Sequence, residues 1–407
     1  MKYLNINRLQ FYSIVFVAIT LPLPMLLNNL AILCFGIISF YKIVKEKQVF
    51  KKWNILQILF VSFYCVGLFS LSYSCDSYEG YKVLEKYLVF MLFPFLFSTT
   101  NLTKKELNDL LLIFTYAIAL YLIGCILIAT YNSILTGSIY KFNSENLAIE
   151  NQFKYHSLIG YFENTAITFG IYISFAISIL LDQLIRKKAL SSLNIITLIV
   201  LIAGVFLMDS FAITIAFGTI LFLLLIFIRI KTKYYILFLF PIIFAGYLFY
   251  KKAEGFEKKI FYYEFEHDVH NTNWNSLNIR LAKWDCAVEV ITENFPLGVG
   301  VGCSQIKLNQ KYQEKNFVVG LEKRYSTHNQ FLHNLVETGV LGLIIYILIL
   351  FSGIFLSYKH KNYVLLSVVC LLFISGLTDT ILIINKGIIF FTFYIILLSL
   401  LPKNHHE

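Results

Sequence analysis

The sequence predicts an all-α polytopic membrane protein of about twelve transmembrane helices with one long, partly helical outer loop. Three observations carry that expectation. Of 407 residues, 58% are hydrophobic, 17% aromatic and only 14% charged, a balance foreign to soluble domains. Apolar stretches long enough to cross roughly 30 Å of hydrocarbon recur along the whole chain. The Lys and Arg residues collect in alternate gaps between them, as inner loops of membrane proteins do. The formal charge of +10 therefore points to membrane topology and away from nucleic acid.

In chain order the spans fall near 9–25, 26–43, 53–73, 83–100, 108–131, 158–181, 191–208, 211–228, 234–250, 339–357, 363–378 and 387–402. The gaps that carry Lys2 and Arg8, Lys42 to Lys52, Lys104 and Lys105, Arg186 to Lys188, Arg229 to Lys233, Lys359 and Lys361, and Lys403 are assigned to the inside. Residues 74–81, 133–156 and 379–386 hold few Lys or Arg and are assigned to the outside, with both termini cytoplasmic. No small-residue cleavage site follows the first span, which is read as a retained helix. The chain then divides into helices one to nine over 1–250, a large outer loop over 251–338, and helices ten to twelve over 339–407. Such a loop has room for a small helical cap. No internal repeat of the transporter kind is visible.

Within the loop, Ile279, Trp284, Val288 and Ile291 recur at roughly helical spacing. Arg280 and Trp284, four apart, share one face, where the guanidinium either forks onto a diphosphate, stacks on a sugar, or meets solvent and headgroups. The stretch from Asn294 to Ser304 carries glycines 298, 300 and 302. Without a strand-to-helix context it reads as a tight turn that lets backbone approach a neighbour, not as a nucleotide cradle. Tyr263 to His270 offers Glu264, Glu266, His267, Asp268 and His270, either as metal ligands or as a solvated acidic loop; the second reading is preferred and no metal is expected. Among the seven cysteines only Cys75, Cys286 and Cys303 face outward, so a Cys286 to Cys303 bridge is open.

The most informative stretch runs from Tyr325 to Leu350, where a polar segment enters an apolar span. Thr327 and Gln330 fit a capping box, which would place His328 in the first helical turn. There the positive end of the helix dipole disfavours imidazolium and favours a nearby anion. A neutral histidine in that position is suited to accept a hydroxyl proton; alternatively it is an ordinary interfacial side chain. Gly339 and Gly342, three apart, would allow a neighbouring helix or lipid chain to approach. Glu337 lies four after His333, within contact range on a helix.

These residues resemble the O-antigen ligase and Wzy-type polymerase superfamily. Its pattern of His followed by Asn, Ser or Gln, nine residues, Gly, two residues and then Gly, Thr or Tyr is met by His328-Asn329, Gln330 to Thr338, Gly339, Val340, Leu341 and Gly342. Upstream, Arg280, Trp284 and the run from Asn294 through Pro296 and Leu297 to Gly298 and Gly300 resemble the family's loop. About twelve helices with one long external loop is also a family feature. One departure stands out: many members carry Ser-Arg at the outer end of a middle helix, where this chain has Ser210 followed by Phe211. Arg324 or Lys323 would then have to supply the missing cation.

The resemblance implies a membrane glycosyltransferase of the O-antigen ligase type. It would move a glycan from undecaprenyl diphosphate to an acceptor hydroxyl on lipid A-core or another surface acceptor, at the periplasmic face of the bacterial inner membrane. The alternatives are a Wzy-type polymerase joining lipid-linked repeats, and, more remotely, a transporter or flippase. A sugar diphosphate is already activated, so neither cofactor nor metal is needed. The roles implied are His328 as catalytic base; Arg280, Arg324 and Lys323 as diphosphate ligands; and Asn329, Gln330, Trp284, Glu337, Gly339 and Gly342 in support. The expected partners are the lipid-linked donor, the acceptor and membrane lipids.

Overall fold

The computed structural model describes residues 6–46, 53–143, 148–187, 190–228 and 276–400. The described chain is overwhelmingly helical. Its helices are α1 (Ile6–Thr20), α2 (Met25–Glu46), α3 (Ile55–Ser70), α4 (Ser77–Ser98), α5 (Lys104–Thr136), α6 (Tyr155–Ile159), α7 (Ala166–Lys187), α8 (Ser192–Leu207) and α9 (Phe211–Ile228), followed by α10 (Ser276–Glu293), α11 (Ser304–Glu314), α12 (Val318–Glu322), α13 (Gln330–His360), α14 (Tyr363–Thr378) and α15 (Asn385–Ser399). A helix overlies every expected span except 234–250, which lies outside the described residues, as does Tyr263 to His270. By length and composition, α2, α3, α5, α7 and α13 are able to cross a membrane, and shorter apolar helices accompany them.

Local sequence explains where these helices begin. Asn54 and Gln57 form a reciprocal capping box on α3, Thr103 and Glu106 do the same on α5, and Asp76 and Asn362 cap α4 and α14. Gly137 closes α5 in a left-handed conformation. The centre of the bundle is α7 and α15, both buried along almost their whole length. There Phe114, Tyr172, Phe175, Phe390 and Tyr394 pack ring against ring, with Phe175 and Tyr394 centroids 4.6 Å apart.

The all-α expectation needs one correction. Tyr140–Asn143 and Ala148–Asn151 form an antiparallel hairpin, with Phe142 opposite Ile149. Their short alternating pattern suits a strand and is too brief for a helix. Residues 276–329 fold as a small helical cap with its own apolar core of Ala282, Cys286, Ala287, Val290, Leu308, Tyr312 and Phe317, which leans on Val336 of α13. Val288 does not belong to that core; it is exposed, so the buried stripe of α10 runs through Ala282, Cys286 and Val290.

Candidate active site

The glycine-rich turn is built into a break in α13. At Gly339 the helix adopts φ 65°, ψ −153°, a conformation reserved for glycine, and the usual ladder is interrupted. The freed groups find partners in the turn: Val299 N donates to Val336 O at 2.8 Å, Gly300 N to Glu337 O at 2.8 Å, and Val340 N to Pro296 O at 2.9 Å. A Cβ on Gly339 would collide with Pro296 O, and one on Gly298 would lie 2.8 Å from Val336 O. The expectation that Gly339 and Gly342 admit a helix or lipid chain is thus corrected. Gly339 receives loop backbone, and Gly342 faces Thr338 of its own helix.

The other side of the turn is fixed to the α3–α4 connection. Tyr73 Oη donates to Leu297 O at 2.9 Å, Val301 N donates to Ser70 Oγ at 3.2 Å, and Gly302 has no room for a side chain against Gly80 and Asp76. Cys303 is bonded to Cys75, and Cys286 is a buried free thiol. The open pairing of Cys286 with Cys303 is therefore replaced. Cys286 points into the apolar core of the cap, whereas Cys303 ends the turn that lies on the Cys75 hairpin.

His328 stands at the mouth of this assembly, not inside the helix. Asn329 is the N-cap, its Oδ1 accepting from Phe331 N at 2.9 Å and Leu332 N at 3.1 Å. The capping box of Thr327 and Gln330 is corrected accordingly. Thr327 Oγ1 donates to Asn329 O at 2.9 Å, and the buried Gln330 holds Asn334 at 2.8 Å and accepts from Leu382 N at 2.9 Å. An Asn cap with two backbone donors competes successfully with the Thr cap. His328 takes φ 46°, an uncommon left-handed value for a histidine.

That geometry turns the ring toward Asp379, with Nδ1 3.2 Å from Oδ1. The loop after α14 is held against the His328 segment by Ser326 to Thr380 at 2.9 Å and by Gln330 to Leu382. Burial raises the Asp379 carboxyl, but the hydrogen bonds from His328 and Thr380 N and the positive charge of Arg280 outweigh it, holding it below the usual aspartate value. An ionised carboxylate only accepts, so His328 Nδ1 carries a proton, which leaves Nε2 as the acceptor position of the imidazole form. The side chain remains 31% exposed.

Cations come from α10. Arg280 acts on the charges of Asp379, Tyr155 and Lys283, so these groups share one neighbourhood. Lys283 is buried, with Nζ 4.5 Å from the centre of the Tyr325 ring. Burial and the neighbouring Arg280 lower its pKa to about 8. Trp284 Nε1 donates to Thr327 O at 3.0 Å and so fixes the residue preceding His328. Lys323 and Arg324 are exposed, and no ion pair ties them to the cluster among the described residues. Glu337 accepts from Tyr87 Oη at 2.8 Å, while His333 Nε2 lies 3.7 Å from Glu337 Oε1, beyond hydrogen-bond range. Among the described residues no group of three metal-ligating side chains converges.

Residues 195–347 match the family model described as O-antigen ligase. Over that stretch, rather more than a third of its length, the chain is similar to O-antigen ligases. No curated protein matches it. Enzymes of this family are glycosyltransferase-like, and the match covers Arg280, Trp284, the glycine turn, His328 and the Gly339 break. Asp379 lies beyond the O-antigen ligase match and was not singled out in the sequence, where it is one acidic residue closing an apolar span. Lys283 belongs to no motif in the sequence; its three-residue spacing from Arg280 is the available signal. Where many family members have Ser-Arg, this chain has Asp209 ahead of Ser210 and Phe211, paired with Lys154 at 3.0 Å.

Proposed function

We propose that the protein is a ligase-type glycosyltransferase that moves a glycan from undecaprenyl diphosphate to an acceptor hydroxyl at the periplasmic face of the inner membrane. The observation that carries this reading is the contact of His328 Nδ1 with Asp379 at 3.2 Å beside the charges of Arg280 and Lys283. His328 Nε2 takes the proton of the acceptor hydroxyl as its oxygen attacks the anomeric carbon. The bond from that carbon to the diphosphate oxygen breaks, and the departing lipid diphosphate leaves with the electron pair. Arg280 and Lys283 offset its charge, with Arg324 and Lys323 at the exposed rim. The Cys75–Cys303 bridge supports placing this face in an oxidising compartment.

The test is purified protein with a lipid-linked oligosaccharide and candidate acceptors. His328→Ala should lower turnover about a hundredfold to ten-thousandfold while the protein remains folded in the membrane. An unchanged rate would refute the assigned role. In cells, loss of the protein should leave long lipid-linked chains unattached; single attached repeats would instead show a polymerase, and repeats trapped on the inner face a transporter.

A further inference from the structure

Tyr155 and His156 border the same neighbourhood from a part of the chain outside the matched domain. Their segment reaches the Asp379 loop through neighbours: Asn164 Oδ1 accepts from Lys386 Nζ at 2.9 Å, and Ile167 and Gly170 of α7 face Ser375 and Thr378 of α14 across a small cavity. The charges of Asp379 and Arg280 both act on Tyr155, and that of Asp379 acts on His156.

The backbone at Tyr155 has φ 51°, a conformation that is unfavourable for an aromatic residue. Contacts on both sides maintain it. Lys154 Nζ pairs with Asp209 at 3.0 Å, His156 Nδ1 accepts from Ala166 N at 3.1 Å, and Ser157 Oγ meets Glu150. Strain held this firmly by its surroundings is characteristic of binding and catalytic positions. The outcome is a tyrosine ring left 39% exposed, packed edge-on against the His156 ring with centroids 4.2 Å apart. Since His156 Nδ1 is an acceptor, its proton sits on Nε2, which is left as a donor.

We infer that Tyr155 and His156 form the platform on which the acceptor sugar rests, its apolar ring face against Tyr155 and a hydroxyl accepting from His156 Nε2. An amphipathic ring that offers a flat apolar face beside a hydrogen-bond donor suits a neutral pyranose, whereas the cations of α10 suit an anion. The inference rests on the transferase reading given above and deepens it by assigning the acceptor side.

Two probes keep the readings apart: methyl glycosides of neutral hexoses followed by saturation-transfer NMR, and inorganic pyrophosphate followed by phosphorus line broadening, both on the full-length protein in detergent. Tyr155→Ala should weaken glycoside binding about tenfold and leave pyrophosphate unaffected, and Tyr155→Trp should restore it. Tyr155→Gly, which removes the backbone strain, serves as the side-chain deletion if the alanine variant does not fold. Unchanged glycoside binding in both deletions, or a loss of pyrophosphate binding in place of glycoside binding, overturns the platform. Failure of pyrophosphate to respond to Arg280→Ala counts against the donor assignment alone.

Discussion

At the scale of single residues, the distinction that matters is between His328 and the group that orients it. Asp379→Asn replaces an obligate acceptor by an amide that can present either a donor or an acceptor, so the proton on Nδ1 is no longer enforced. Turnover should drop about a hundredfold or more with KM for the donor little changed, as read in steady-state assays of the purified variant. Because the Asp379 carboxyl is held below its usual value, the stability it contributes is present at neutral and mildly acid pH and lost as pH falls through its lowered value. Lys283 behaves oppositely at the alkaline end. With its pKa at about 8 it sheds its charge between neutrality and pH 9, so KM for the lipid diphosphate should rise over that interval. Lys283→Arg should flatten the rise, which a KM series against pH would reveal. Arg280, Trp284 and His328 stand in a spacing that the sequence displays. Asp379 does not, because a carboxylate brought in from another loop leaves no local pattern.

At the scale of elements, α13 is governed by a loop far from it in sequence. Gly339 stands where the polar first turns of α13 give way to its apolar span, and a lone glycine there is compatible with an unbroken helix, so nothing local announces a break. The break exists because Val299, Gly300 and Pro296 supply the hydrogen bonds that the helix gives up. Gly339→Ala should destabilise the protein by roughly 1–3 kcal/mol, from the disfavoured backbone alone and more from the collision with Pro296 O. Gly342→Ala meets the Thr338 side chain and no loop backbone, at a position with ordinary helical geometry, and should be the milder change. Thermal unfolding of the two variants by fluorescence-detected size exclusion provides the comparison. The capping residue shows a related limit: Thr327 and Asn329 are both competent caps, and the bond from Trp284 to Thr327 O, which no spacing rule contains, is part of what fixes the choice.

For the whole molecule, the positions of the helices were readable almost throughout the described residues, since hydrocarbon thickness imposes a length on apolar runs. Which outer segments meet was not readable, because loops pair by shape and not by periodicity. The cysteines illustrate it: Cys286 was available by topology but is sequestered in the apolar core of the cap, and Cys75 took the pairing with Cys303. Cys75→Ser or Cys303→Ser should lower Tm and abolish the mobility difference between reduced and oxidised protein on gels, whereas Cys286→Ser should keep that difference.

The partners in that bridge are separated by 228 residues of sequence. Ribosomes deliver the first cysteine long before the second, so the covalent tie closes only after most of the chain has been made. Until then the glycine turn lacks its anchor on Cys75, and the break that shapes the entrance to α13 is without its full support. A copy still being threaded therefore lacks the cross-link that joins its early and late segments.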